Sequence, residues 1–325
     1  MQPFEYVSPA TTAEALKALS AEAEVLAGGT DLLSLMKDYV STPQRLVSLK
    51  HIKELMGIEF NPGAGLRIGA TTTLEELMQS AHVKQHYPAL VQAAEGVSSP
   101  QIRSQGTVGG DLLQRPRCWY YRAGYGLLAT LNGKPLIPDG DNRYHAILGN
   151  AGPAYFVNPS SFAPILIALG SKAQVQGPDG KREIDLEKFF ITPTSEGQRE
   201  NALKAGEILT AIQVPPAEGA KMAVYEVRQK EALDWPLAAA AVVLNMDGDT
   251  VKSARVILGH VAPVPWPSSE AEEALAGKSI SEEVADAAGK AAVSKATPLS
   301  KNSYKVQLAR VAVKRAILSA AKGGA

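Results

Sequence analysis

Glu24-Val25-Leu26-Ala27-Gly28-Gly29-Thr30-Asp31-Leu32-Leu33-Ser34-Leu35-Met36-Lys37 is the stretch on which the reading of the fold turns. Its first four residues read as a short buried strand, and Asp31 to Lys37 as the helix that follows. The two glycines between them let the backbone take positive φ and come close to a ligand. The following helix aims its free amides and positive dipole end at the same loop, which makes an anion site suited to a phosphate. Thr30 adds a hydroxyl donor. The competing reading is an ordinary strand-to-helix turn, so a second feature has to decide.

That feature lies downstream. Ile102-Arg103-Ser104-Gln105-Gly106-Thr107-Val108-Gly109-Gly110-Asp111 carries another diglycine, with a hydroxyl before it and a carboxylate after it. Gly110 stands 110 − 29 = 81 residues beyond Gly29, too far for one motif. Two such loops can grip a long diphosphate ligand from opposite sides. Familiar nucleotide motifs fail in this chain. Gly63-Ala64-Gly65-Leu66-Arg67-Ile68 has Ile at the third glycine of the dinucleotide fingerprint and reads as a hairpin turn. Gly133-Lys134 has Leu128 and Pro135 where a P-loop needs Gly and Ser/Thr.

Outward from these loops the chain alternates helix and strand. Thr11-x-x-Glu14 and Thr73-x-x-Glu76 are capping boxes that open helices. Leu46–Leu49 and Leu66–Ala70 read as strands, and Pro88–Val97 as a helix with proline in its first turn. Lys172–Gln176 and Lys181–Ile184 flank Gly177-Pro178-Asp179-Gly180, a hairpin signal. Residues 115–150 show no periodicity, a length that points to function or an interface. Pro215–Gly219 marks a boundary, after which Val242–Met246 and Val251–Leu258 form a hairpin and the Ala-rich tail from Ser281 is helical. The expected division is 1–55, 56–218 and 219–325.

Composition bounds the function. The 325 residues carry 33 Lys+Arg against 33 Asp+Glu, a net charge of zero, which argues against a nucleic-acid or membrane-surface footprint. No apolar run approaches the ~18–20 residues that span a bilayer, and Met1–Tyr6 does not read as a signal peptide. Cys118 is the sole cysteine and holds neither a disulfide nor an iron–sulfur cluster by itself. It is expected to be a buried small hydrophobe. His51, His82, His86, His145 and His260 show no pairing with a nucleophile. Arg115, Arg117 and Arg122, interleaved with Trp119, Tyr120 and Tyr121, read as a subunit interface or a lid over a cofactor rather than a nucleic-acid patch.

Ala27-Gly28-Gly29-Thr30-Asp31 together with Ile102-Arg103-x-x-x-Thr107-Val108-Gly109-Gly110-Asp111 resembles the FAD-binding (medium) subunit of the molybdenum hydroxylases, the xanthine dehydrogenase, carbon monoxide dehydrogenase and aldehyde oxidoreductase family. Asn158–Pro164, Gly206–Leu209 before Val214-Pro215, and Tyr225–Pro236 are similar too, and Gln114–Arg122 resembles the bacterial aldehyde oxidoreductase branch. The resemblance implies an α+β protein with a vanillyl-alcohol-oxidase-like FAD-binding fold of two α/β subdomains and a C-terminal α+β domain. It implies FAD in this chain, with a molybdenum cofactor in a large partner subunit and [2Fe–2S] clusters in a small one. The chain would take electrons from those clusters and pass them to an external acceptor, whether NAD, quinone, ferredoxin or oxygen. Catalytic residues are then not expected here, nor a metal ligand, and the expected location is cytoplasmic unless a signal-bearing partner exports it. The alternative is a stand-alone flavin oxidoreductase of related fold.

Carried over position by position, the resemblance assigns Leu26, Ala27, Gly28, Gly29, Thr30, Asp31 and Leu32, with Thr107, Gly109, Gly110 and Asp111, to the diphosphate and ribityl parts of FAD. Ser161 and Leu209 would line the nucleotide end, and Trp235 would lie beside the isoalloxazine ring. Two positions depart from the family pattern: Ser161 replaces the usual Asp, and Glu226 a common Lys. Some relatives carry a [4Fe–4S] cluster in an insertion after the segment corresponding to Arg115–Trp119. Gly124–Asp141 occupies that region without cysteine, so no such cluster is expected in this chain.

Overall fold

The computed structural model describes residues 1–97, 99–230 and 234–323. Among the described residues there are three sheets of three or more strands, taken here in chain order, and one two-stranded hairpin. The first is parallel, with Arg45–Ser48 between Glu5–Val7 and Ala23–Leu26. Parallel pairing here requires a crossover, and the helices Thr12–Ala18 and Leu32–Lys37 supply it. Thr11 caps the first, accepting from the Glu14 amide. The core of this layer is small: Ala15, Val47, Leu49, Ile52 and Leu55.

The second sheet is antiparallel and five-stranded, in the order Ile58–Asn61, Gly65–Gly69, Ile208–Val214, Lys172–Gly177, Gly180–Asp185. Its central strand, Ile208–Val214, is the last of the five in sequence and inserts between Gly65–Gly69 and Lys172–Gly177, so the segment from residue 70 to 171 connects two strands that do not pair with each other. The helix Leu74–Gln79 opens with a complete capping box: the Thr73 hydroxyl accepts from the Glu76 amide, and the Glu76 carboxylate accepts from the Thr73 amide at 2.7 Å. Leu74 also donates its amide to the Gly106 carbonyl, which ties this helix start to the second glycine loop. The hairpin at Gly177–Gly180 forms as read, as does the turn between Asn61 and Gly65.

The third sheet runs Lys221–Val227, Ala238–Asp247, Thr250–Gly259, Trp266–Pro267, all antiparallel. Its second strand starts at Ala238, four alanines earlier than the apolar pattern of Val242–Met246 suggests. Alanine favours helix in isolation, but a central strand buried on both faces needs small side chains, and tertiary context overrides propensity. The helix Tyr304–Ala321 covers one face, burying Ala309, Ala312, Val313, Ala316, Ile317 and Ala320 at helical spacing.

Residues 115–150 form little regular structure: the helix Trp119–Arg122 and the hairpin of Thr130–Leu131 with Lys134–Pro135. They nevertheless pack a core of their own, in which Cys118, Tyr121, Leu127, Leu128 and Ile137 meet Phe156 and Leu35 of the Leu32–Lys37 helix.

Candidate functional site

Both glycine loops meet at one cavity of about 900 Å³. Leu26, Ala27, Gly28, Gly29, Thr30, Asp31 and Leu32 line it from the first sheet, Thr107, Gly109 and Gly110 from the second loop, and Leu209 from the central strand of the second sheet. The loops touch. A Cβ on Gly28 would stand 1.9 Å from the Gln105 carbonyl oxygen, so only glycine lets the two backbones come this close. Gly29 takes φ +75°, the left-handed region in which a side chain is strained.

The two loops offer different chemistry. Among the described residues, no backbone amide from Gly28 to Leu32 donates to another part of the chain. Consecutive unpaired amides at a cavity wall are uncommon, because buried N–H groups are nearly always paired. They leave partial positive charge at the cavity wall, which favours phosphate oxygens. The amides of the second loop from Val108 to Asp111 are used within the chain. Val108 and Gly109 donate to the carbonyls of Thr72 and Ala70, and Gly110 and Asp111 to the Thr107 hydroxyl and carbonyl. Its contribution is a wall of backbone that a ligand can approach closely.

The stretch from Ile191 to Ala205, which sequence reasoning did not assign, forms the facing wall of the cavity. It is clamped by charge. Glu196 accepts the amides of Leu127 and Leu128 at 2.7 and 2.9 Å, Arg199 pairs with Glu24 at 2.7 Å, and Glu200 with Arg115 at 2.5 Å. A signal was present in its run of charged residues beside the matching Gly206–Leu209, but their partners lie far away in sequence.

The donor set fits FAD: amides for a diphosphate, and a cavity of about 900 Å³ for the groups on either side of it. Known proteins agree. The family described as the FAD binding domain in molybdopterin dehydrogenase matches residues 2–217, and the CO dehydrogenase flavoprotein C-terminal domain matches residues 223–320. The chain belongs to the FAD-binding medium subunits of the molybdenum hydroxylases. Among curated relatives, the aldehyde oxidoreductase FAD-binding subunit PaoB of Escherichia coli is 33% identical over 95% of this chain and 96% of its own length. The carbon monoxide dehydrogenase medium chain of Hydrogenophaga pseudoflava is 31% identical over 98% of this chain and 96% of its own. A solved carbon monoxide dehydrogenase from that organism, in a form lacking the Mo-pyranopterin moiety, aligns with a TM-score of 0.78 at 30% identity, covering 100% of this chain and 99% of that one. The architecture is thus the mixed helix-and-sheet fold of this flavoprotein family, and the chain is a subunit type of oxidoreductases.

Within this medium-subunit fold, Asp31 faces the cavity with its backbone but spends its carboxylate elsewhere. It pairs with Arg117 and Arg122, each at 2.8 Å, and accepts the Arg115 amide at 2.7 Å. Arg115, Arg117 and Arg122 are therefore committed inside the chain. They rivet the Gln114–Arg122 segment over the first loop, and Arg117 also lies 4.4 Å from the centre of the Trp235 ring.

Asp111, Ser161 and Trp235 stand outside the large cavity. The Asp111 carboxylate is buried, accepting the Ser160 hydroxyl, the Phe162 amide at 3.2 Å and the Gln114 side-chain amide at 2.9 Å. Burial outweighs those bonds and pushes its pKa up to about 6. Asp111 locks the second loop to the Asn158–Pro164 segment. The Ser161 hydroxyl donates to the Glu226 carboxylate at 2.8 Å, and Glu226 is ion-paired with Arg228. The two departures from the family pattern are thus one contact, and Arg228 supplies the positive charge beside Glu226. Burial raises the Glu226 pKa, against the pull of Arg228. Trp235 is exposed and lines a second, smaller cavity.

Cys118 is buried as expected, but it has a partner: its Sγ lies 3.1 Å from His145 Nε2. The expectation that no histidine pairs with a nucleophile fails here because the two residues meet through an irregular loop, not a periodic element. Burial raises the thiol pKa and lowers the imidazole pKa to about 4, so both groups are neutral and the pair is not a thiolate–imidazolium couple.

Proposed function

We propose that this chain is the electron-transfer subunit of a heterotrimeric molybdenum hydroxylase that oxidises aldehydes. Its partners in this reading are a large subunit with the molybdenum cofactor, where substrate is oxidised, and a small subunit with [2Fe–2S] clusters that delivers electrons. An external acceptor removes them. The observation that carries the reading is the run of unpaired amides from Gly28 to Leu32 on the wall of a cavity large enough for a dinucleotide. The likeness to a subunit named for aldehyde oxidation supports the substrate class.

Bound FAD supplies the one- and two-electron chemistry, while the protein supplies position and electrostatics. Leu26 through Leu32 hold the diphosphate, Thr107, Gly109 and Gly110 form the close wall beside it, and Leu209 packs against the nucleotide end. Asp111 keeps that wall in place, Ser161 with Glu226 and Arg228 fixes the polar edge toward the C-terminal domain, and Trp235 gives an aromatic face. Residues 1–55 and 56–218 then form the halves of the FAD fold, and 219–325 the C-terminal domain. Among the described residues no helix is long and apolar enough to cross a membrane, and the reading places the complex in the cytoplasm.

Co-expression with the two partner subunits tests this. The expected product is a three-subunit complex with flavin bound, in which an aromatic or aliphatic aldehyde reduces an added dye. Turnover of carbon monoxide or a purine without turnover of any aldehyde would contradict the substrate class. Substrate-driven bleaching of flavin in the isolated chain would replace the reading with the stand-alone oxidoreductase.

A further inference from the structure

The wall of the large cavity that starts at Ile191 begins as a closed loop. Phe190 and Asn201 bridge antiparallel, the Ile191 amide donates to the Glu200 carbonyl at 3.0 Å, and the Ala202 amide to the Phe189 carbonyl at 2.8 Å. This base is fixed: Phe189 and Phe190 are buried in the main core, and Glu200, also buried, pairs with Arg115. The tip differs. Thr194-Ser195-Glu196-Gly197-Gln198-Arg199 contains no apolar side chain, and all of it except the partly buried Gln198 is exposed. Its internal bonds are those of a turn, with the Gln198 amide on the Ser195 carbonyl at 3.1 Å and the Thr194 amide on the Gln198 side-chain oxygen at 2.9 Å. Yet Gly197, Gln198 and Arg199 line the cavity.

Two charged contacts hold the tip down. Glu196, which is not part of the lining, accepts the Leu127 amide on one carboxylate oxygen at 2.7 Å and the Leu128 amide on the other at 2.9 Å. Consecutive main-chain amides aimed at one carboxylate form an anion nest. Gly126 is shaped for it: its φ is +79°, and a Cβ there would stand 2.7 Å from a Glu196 oxygen. Leu127 and Leu128 are buried in their own core, so the nest is rigid. The second contact, Arg199 with Glu24, joins side chains 50% and 29% exposed, and ion pairs of that kind contribute little. Glu196 is therefore the main fastening. Lifting the tip exposes no apolar side chain, so the hydrophobic effect does not oppose it.

We propose that residues 191–200 are a flap over the cofactor cavity, latched by Glu196 in the nest at Gly126–Leu128, and that FAD enters and leaves when the tip lifts. The proposal rests on the reading of that cavity as the FAD site. The bridge between Phe190 and Asn201 is the hinge. This arrangement explains why part of the wall is a charged, self-bonded turn rather than packed side chains. It also explains why the Glu196 carboxylate is spent on the irregular segment beside the cavity and not on the cavity itself.

Stopped-flow flavin fluorescence on the full chain measures FAD association and dissociation. Glu196→Gln weakens the latch without altering the lining, and both rates should rise about tenfold, so that Kd changes by less than either. Glu196→Asp keeps the charge and should give rates nearer those of the unaltered chain. A static wall in contact with FAD behaves otherwise: dissociation speeds up while association stays the same. Hydrogen exchange gives a readout that needs no FAD, since the Leu127 and Leu128 amides should exchange faster in Glu196→Gln than in the unaltered chain. Unchanged exchange at those amides, unchanged rates, or a rise confined to dissociation would overturn the flap and leave the FAD site standing. A folded chain that takes up no FAD would overturn the reading of the cavity and the flap with it.

Discussion

Gly28 and Gly29 do different work within one loop. Gly28 is required by the neighbouring chain, because any Cβ runs into the Gln105 carbonyl, whereas Gly29 is required by its own φ of +75°. Gly28→Ala must push the two loops apart. It is expected to cost about 2 kcal/mol of stability and at least tenfold in FAD affinity, measured by denaturant unfolding and flavin fluorescence. Asp31→Ala leaves Arg117 and Arg122 without their carboxylate in a half-buried setting. It should cost about 2 kcal/mol and loosen the Gln114–Arg122 segment to limited proteolysis. The diglycines were legible in the sequence because glycine is chosen for backbone reasons that a sequence displays. The carboxylate role of Asp31 was not, since its partners lie 84 and more residues away. The histidines show the same limit. His145 and His260 keep folded-state pKa values of about 4 and about 3, below the usual 6.5. Between those limits the unfolded chain binds protons that the folded chain refuses, so these groups lower stability as the pH falls from 6.5 toward 4. In His145→Phe the pH slope of the unfolding free energy across that window should shrink by about one proton; an unchanged slope would mean that the imidazole is not held neutral.

The elements most visible in sequence are those with local signals. The capping box at Thr73 forms with both of its reciprocal bonds, and Thr73→Ala is expected to cost about 1 kcal/mol, read as a shift in the unfolding midpoint. Because Leu74 donates to Gly106, the same variant should also weaken FAD binding, a coupling that an isolated surface helix would not show. The strand Ala238–Asp247 was half legible. Its β-branched end announces itself, while its alanines are strand only because a helix presses on them from one side. The cavity wall from Ile191 to Ala205 offered only its charged residues as a signal. It has no periodicity, and its clamps are Glu196, Arg199 and Glu200 reaching residues on two other parts of the chain.

At the scale of the whole molecule, the site draws on segments far apart in the chain. The central strand of the second sheet, Ile208–Val214, follows the Ile191–Ala205 wall in sequence, and its Leu209 lines the same cavity as both glycine loops. The first sheet supplies donors, the second supplies the wall, and the third is joined to the site through Ser161, Glu226 and Arg228. A flavin that needs all three should stabilise the chain as a unit, and saturating FAD is expected to raise the unfolding midpoint of the whole chain in a single transition.

The most direct test of the central claim is a crystal structure of the chain with FAD bound. The diphosphate oxygens should lie within hydrogen-bond distance of amides between Gly28 and Leu32, with the Thr107–Gly110 backbone in van der Waals contact on the other side. A diphosphate seated anywhere else, with those amides still unpaired, would contradict the account.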